Sequence, residues 1–259
     1  MTAPKRLVVC CDGTWNTPDE LRDGASAPTN VSKIALGLAR EDAAGGVQRL
    51  FYQRGVGTRR FEHLRGGAIG FGLSRNVRDC YRFIVENYEP GDELYFFGFS
   101  RGAYTARSTA GFVRNAGILR PEHRDRVDEA YALYRSRDSK TKPSGIESEI
   151  FRRMYSHEET KIEFVGVWDT VGALGIPIGG LRLPFVQHLW GFHDTKLSTY
   201  VRAAYQALAL DEHRSIFKPT TWTRQPESGD QILEQVWFAG VHSDVGGGYQ
   251  DPALAEIPL

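Results

Sequence analysis

This chain of 259 residues is poor in cysteine. It has three, and Cys10 and Cys11 are neighbours. Adjacent residues in a strand point to opposite faces, so these two cannot readily bridge, and no disulfide framework is expected. Net charge is absent as well. Lysine plus arginine number 32 and aspartate plus glutamate 32, so no global field draws the chain to nucleic acid or to an anionic membrane. No apolar run approaches the roughly 18 residues needed to cross a bilayer. The N-terminal stretch MTAPKRLVVCCDG has only a short apolar segment that runs into an acidic turn. It reads as a first β-strand and not as a signal peptide. Internal repeats and low-complexity linkers are missing too. A reducing, cytoplasmic compartment is the default expectation, with export by a route without a cleaved signal left open.

What is present is an alternation of strand and helix patterns. Strands are expected over 6–11, 48–53, 93–97, 162–168 and 233–239. Helices are expected over 30–40 (capped by Asn30), 75–88, from the end of the 93–97 strand to about 115, 122–137, 146–155 and 195–210. Five buried-type strands separated by helices predict one α/β domain, with a mostly parallel central sheet and helices on both faces. Only 17 residues follow His242, and 251–257 resembles the start of a helix. The chain is therefore read as a single domain, incomplete at its C-terminal end.

The run Gly98-Phe99-Ser100-Arg101-Gly102 follows the strand 93–97 and precedes a small-residue helix. A bare GxSxG is common by chance in a chain with 28 glycines. Between strand and helix, however, it reads as a nucleophile elbow, which holds a serine hydroxyl clear of the sheet at a helix N-terminus. Open parallel sheets place their sites at the carboxyl ends of strands. Four reactive side chains fall there: Asp12, Ser100, Asp169 and His242. The last three follow the α/β-hydrolase order Ser…Asp…His. Ser100 is the expected nucleophile, His242 the base that takes its proton, and Asp169 the carboxylate that fixes the imidazole tautomer. The Arg101 backbone N–H is one expected oxyanion donor, and Gly13 or Thr14 the other. Trp15 is placed as a wall of the acyl pocket. Asp12 and Asp244 are read as supports that hydrogen-bond the glycine loops.

His213, at the expected end of the 195–210 helix, is the rival to His242; the other five histidines read as surface or packing residues. Residues 172–192 are apolar yet broken by glycine and proline, which fits a lid or an irregular buried loop. Arg54, Arg59, Arg60 and Arg65 flank glycine runs and suit an anionic group, but the lysine and Ser/Thr of a P-loop are missing. Neither a cofactor nor a metal site is read; Asp12, His242 and Asp244 have no recognisable ligand spacing.

Six motifs in order, CDGTWN, YQRGVGT, GFSRGAYTAR, VWDTVGALG, ALALDEHR and WFAGVHSDVGGGY, resemble a bacterial and fungal α/β-hydrolase domain family. Its best-known members are phospholipase effectors of type VI secretion. The resemblance implies a Ser–Asp–His hydrolase carried on Ser100, Asp169 and His242, with lipid or phospholipid acyl esters as the leading substrate; the apolar 172–192 segment adds the expectation of contact with a membrane surface. Two alternatives stand beside it. One is a phosphohydrolase, because VVCCDGT echoes the DxDGT motif with Cys10 at the nucleophile position. The other is a catalytically silent binding or toxin module on the same fold.

Overall fold

The computed structural model describes residues 4–13, 21–22, 25–55, 68–158, 160–171 and 195–259. Strand β1 (Arg6–Cys11) leads past a two-residue ladder, β2 (Leu21–Arg22) with β3 (Ala25–Ser26), to α1 (Asn30–Gly37) and β4 (Gln48–Gln53). Then come α2 (Ala68–Asn87), β5 (Glu93–Phe99), α3 (Arg101–Ala116), α4 (Val127–Arg135) and α5 (Ile146–Tyr155). The chain finishes with β6 (Ile162–Trp168), β7 (Val201–Ala209), β8 (Ile232–Phe238) and a five-residue helix, α6 (His242–Gly246).

Six strands form one sheet in the order β4-β1-β5-β6-β7-β8, and every neighbouring pair is parallel. Alternate residues of β1 divide between the two faces of the sheet. Leu7, Val9 and Cys11 join the larger core with Val77, Tyr81 and Ile84 of α2 and with Ala103, Ala106 and Phe112 of α3. Val8 and Cys10 join the smaller one with Val31 of α1 and Val245 of α6. Helices thus lie on both faces, unevenly. The strand order reverses beside β1, whose neighbours β4 and β5 lie on opposite sides. Such a reversal opens a crevice at the carboxyl ends of the strands. Asp12 follows β1 there, and Ser100 follows β5.

Several expectations are corrected. Within the segment read as a helix over 195–210, Val201–Ala209 is strand β7, so among the described residues the sheet has six strands and not five. Its alanines favour a helix by only a few tenths of a kcal/mol each. A place between β6 and β8, hydrogen-bonded on both sides, overrides that preference. The cap of α1 is Thr29, whose hydroxyl accepts from the Ser32 N–H at 3.0 Å. Asn30 instead donates through Nδ2 to Val245 O (3.1 Å) and Ala255 O (2.7 Å), tying α1 to the C-terminal segment. Residues 253–258 form turns where a helix start was expected. Thr14, Trp15, Arg59, Arg60, Arg65 and the 172–192 segment lie outside the described residues. Among the described residues, no helix is long and apolar enough to cross a membrane.

Candidate active site at the carboxyl ends of the strands

Ser100 sits between β5 and α3 with φ 57° and ψ −121°, a conformation that L side chains avoid. Both flanking glycines are required by close approach. A Cβ on Gly102 would lie 2.0 Å from Cys11 O and 2.5 Å from Asp12 O; one on Gly98 would lie 2.6 Å from Ala103 Cα. The glycines therefore let the start of α3 press against the end of β1 and close on β5 itself. The Ser100 N–H donates to Trp168 O at 3.1 Å, which links the turn to the end of β6. The neighbouring Arg101 is half-buried, and this burial lowers its guanidinium pKa to about 10.

Asp169, one residue past β6, also has positive φ, at 35°. Its N–H donates to Ala207 O (2.8 Å), and its Oδ1 accepts from the Ala209 N–H (3.2 Å). The other oxygen, Oδ2, lies 2.5 Å from His242 Nδ1. Both side chains are buried, Asp169 fully and His242 with 5 % exposure. The structure thus brings two of the three expected residues, from just past β6 and from the short helix after β8, into direct contact. Ser100 is related to them through its neighbour: the Phe99 ring centroid is 4.6 Å from the imidazole. Gly246, in the same short helix as His242, has no room for a side chain, since a Cβ would lie 2.0 Å from the Phe99 ring.

Asp12 is 2 % exposed and saturated. Its carboxylate accepts from Thr29 Oγ1 (2.9 and 2.8 Å), Ser32 Oγ (2.9 Å), the Gly13 N–H (2.7 Å) and the Tyr52 hydroxyl. Burial and this carboxylate push the Tyr52 phenol far above its ordinary pKa, so it stays a donor. Asp244 accepts the Val241 N–H at 2.9 Å and caps the helix that carries His242. His213 is exposed, on the connection after β7. His123 and His157 pack on Tyr155 and Tyr88. Among the described residues, no three His, Cys, Asp or Glu side chains are grouped to hold a metal ion.

Sequence reasoning missed the connection after β7. Asp211 Oδ2 accepts the Gly240 N–H at 2.7 Å, and its own N–H donates to Gly240 O at 3.0 Å. Glu212 Oε2 accepts the His242 N–H at 3.3 Å. The Glu212 carboxylate also takes Arg214 Nε at 2.8 Å and Nη2 at 2.6 Å. The Arg214 hydrogen bond is the main reason its pKa falls to about 2. Phe217 packs at a tilt on the imidazole, with ring centroids 4.6 Å apart. Reading β7 as a strand would have exposed this signal, because Asp211 and Glu212 then fall directly past a strand end.

These features define an α/β protein with a strained serine and a buried Asp–His pair at the carboxyl edge of a parallel sheet. Residues 5–259 match the model of the T6SS phospholipase effector Tle1-like catalytic domain, and the chain belongs to that family. An uncharacterized protein of Saccharomyces cerevisiae is 29% identical over 243 residues, an alignment covering 86% of this chain. That alignment takes in 33% of the yeast protein, so the chain spans about a third of the length of the curated relative it matches. A crystal structure of an uncharacterized protein from Pseudomonas aeruginosa superposes with a TM-score of 0.51 at 16% identity, over 96% of this chain and 42% of the other, a likeness of fold.

Proposed function

We propose that this chain is a serine hydrolase that cleaves carboxylic esters through an acyl-enzyme, with lipid or phospholipid acyl esters as substrate. The observation that carries the reading is the 2.5 Å contact between Asp169 Oδ2 and His242 Nδ1. A carboxylate can only accept, so in the neutral imidazole Nδ1 carries the proton and Nε2 keeps its lone pair. That is the tautomer a general base needs. In the reaction Nε2 takes the Ser100 proton as Oγ attacks the ester carbonyl. The imidazolium then returns the proton to the departing alcohol, and water releases the acyl group by the same steps in reverse roles.

Charge on the tetrahedral oxygen needs preorganised donors. The Arg101 N–H, first in α3, is one. Of the two amides expected for the second, Gly13 already donates to Asp12, which favours Thr14. The strain at Ser100 supports an enzyme over a silent module, since an unfavourable backbone costs about 1–3 kcal/mol and persists where the surroundings enforce it. A phosphohydrolase working from the CDGT strand end is disfavoured. Asp12 is saturated, and burial pushes the Cys10 thiol up to about 12, far from an anionic nucleophile. The lipid assignment rests on the family.

The test is labelling by a fluorophosphonate, located by mass spectrometry, with turnover of short p-nitrophenyl esters. The adduct is expected on Ser100. Ser100→Ala is expected to lose labelling and turnover while keeping its unfolding temperature. Retained turnover in that variant overturns the reading, and a panel of lipid esters then defines the substrate.

A further inference from the structure

We infer that Phe217 is a positioning residue for His242, part of a clamp that the connection after β7 builds around the imidazole. The inference rests on the assignment of His242 as base. The imidazole packs against two rings, Phe99 at 4.6 Å with planes 33° apart and Phe217 at 4.6 Å with planes 48° apart. The Arg214 guanidinium lies 4.1 Å from the centroid of Phe217. Arg214 in turn is held by Glu212, whose side chain is 3 % exposed and also accepts the main-chain N–H of His242. One stretch of chain, 212–217, therefore grips the histidine twice, at its backbone and across its ring.

The physical need for such a clamp follows from the geometry of the Asp169 contact. A single hydrogen bond at Nδ1 leaves the ring free to swing about that bond, and a swing carries Nε2 away from the nucleophile. Two aromatic rings packed against the imidazole oppose the swing without using either nitrogen's hydrogen bond. Arg214 occupies the vicinity of Phe217 with a positive charge, so this ring is poorly placed to stabilise an imidazolium as well. Its contribution is thus orientation, and a flat aromatic surface is the property required.

Phe217→Ala and Phe217→Leu are expected to lower kcat on a short p-nitrophenyl ester about tenfold, in line with the cost of small misplacements of reacting groups. KM is expected to stay within about twofold, because a loss of base orientation acts on the chemical step and not on substrate binding. Phe217→Tyr and Phe217→Trp are expected to restore kcat to within about threefold. A leucine variant as active as wild type overturns the inference, since packing volume alone would then suffice; so does an alanine variant with unchanged kcat. Where unfolding temperatures show that the Phe217 variants do not fold, Glu212→Gln is the second probe. It is expected to show the same fall in kcat at constant KM, and unchanged kcat there also overturns the inference. His242→Ala separates the two readings. If it labels with fluorophosphonate at the wild-type rate, the base assignment fails; if it is silent while Phe217→Ala is fully active, only the clamp fails.

Discussion

Gly102→Ala is the sharpest test of how the serine turn is built. The added Cβ would lie 2.0 Å from Cys11 O, about 1.4 Å inside the 3.4 Å at which ordinary contact begins. Its other close neighbours, Cys11 C and Asp12 O at 2.5 Å, are backbone as well, so no flexible side chain can step aside. The start of α3 must move away from β1 by about an ångström. Overpacking of this kind costs about 1–3 kcal/mol. For a chain of this size that is a fall in unfolding temperature of roughly 2–12 °C. The same movement displaces the Arg101 N–H, and a misplacement of about 1 Å lowers turnover by about a hundredfold. Gly111→Ala is the internal control, in the middle of the same helix. The three atoms nearest its Cβ would all belong to Tyr134, the closest being Oη at 3.5 Å. Relief of glycine's entropy there raises stability by about 0.5–1 kcal/mol. Differential scanning fluorimetry and p-nitrophenyl ester kinetics on the two variants read both effects. A Gly102→Ala protein with wild-type unfolding temperature and kcat refutes the account of the turn.

Further outcomes follow from the same geometry. Asp169→Asn places an amide where Nδ1 needs an acceptor; kcat is expected to fall by about 10⁴ with little change in unfolding temperature, measured on short esters. Asp12→Ala leaves the buried hydroxyls of Thr29 and Ser32 and that of Tyr52 without their shared acceptor. A loss on the order of 3 kcal/mol is expected in urea unfolding, at a cost of about 1–3 kcal/mol for each stranded group with partial relaxation. Glu212 is depressed from the ordinary 4.5 to about 2, so its contribution is complete above pH 4.5 and is lost as the pH falls toward 2. Arg214 is more than half exposed, and solvent screening leaves about 1 kcal/mol of that contribution. Wild type is expected to be more stable than Glu212→Gln at pH 6, with the gap closing in acid unfolding curves.

The sheet was legible because its strands carry strong local signatures. The apolar run Arg6–Cys11 lies where expected, and α5, Ile146–Tyr155, has the helical period its sequence shows. The contact between Asp169 and His242 was legible through a topological rule, since both fall past strand ends. What failed was propensity. In Val201–Ala209 four alanines suggest a helix, but in β7 they share a central strand with the buried Gln206 and Leu208. Alanine reports little about context, and only the neighbours β6 and β8 decide the matter. Misreading this one element hid Glu212, Arg214 and Phe217, and it placed His213 at a helix end where the structure has an exposed connection after a strand. The cap of α1 failed for a different reason. Asn30 and Thr29 are both good caps, and the choice was made by Val245 O and Ala255 O, more than two hundred residues away.

The position of His242 is thus set by the pairing of the last two strands. The ladder between β7 and β8 ends at Ala209 and Phe238, and Leu210 N–H continues it to Phe238 O at 2.9 Å. Asp211 and Gly240 then exchange two hydrogen bonds, at 2.7 and 3.0 Å, where Gly240 turns with φ 100°. A Cβ at Gly240 would lie 2.5 Å from that of Asp244, the residue that caps the His242 helix. The turn is therefore packed directly against the residue that caps the His242 helix. A slip of one residue between β7 and β8 would turn every side chain of β8 to the other face and carry His242 away from its carboxylate. The edge of the sheet is where the proposed base is aimed, and substitutions that weaken β8 pairing should show first in turnover and only later in unfolding.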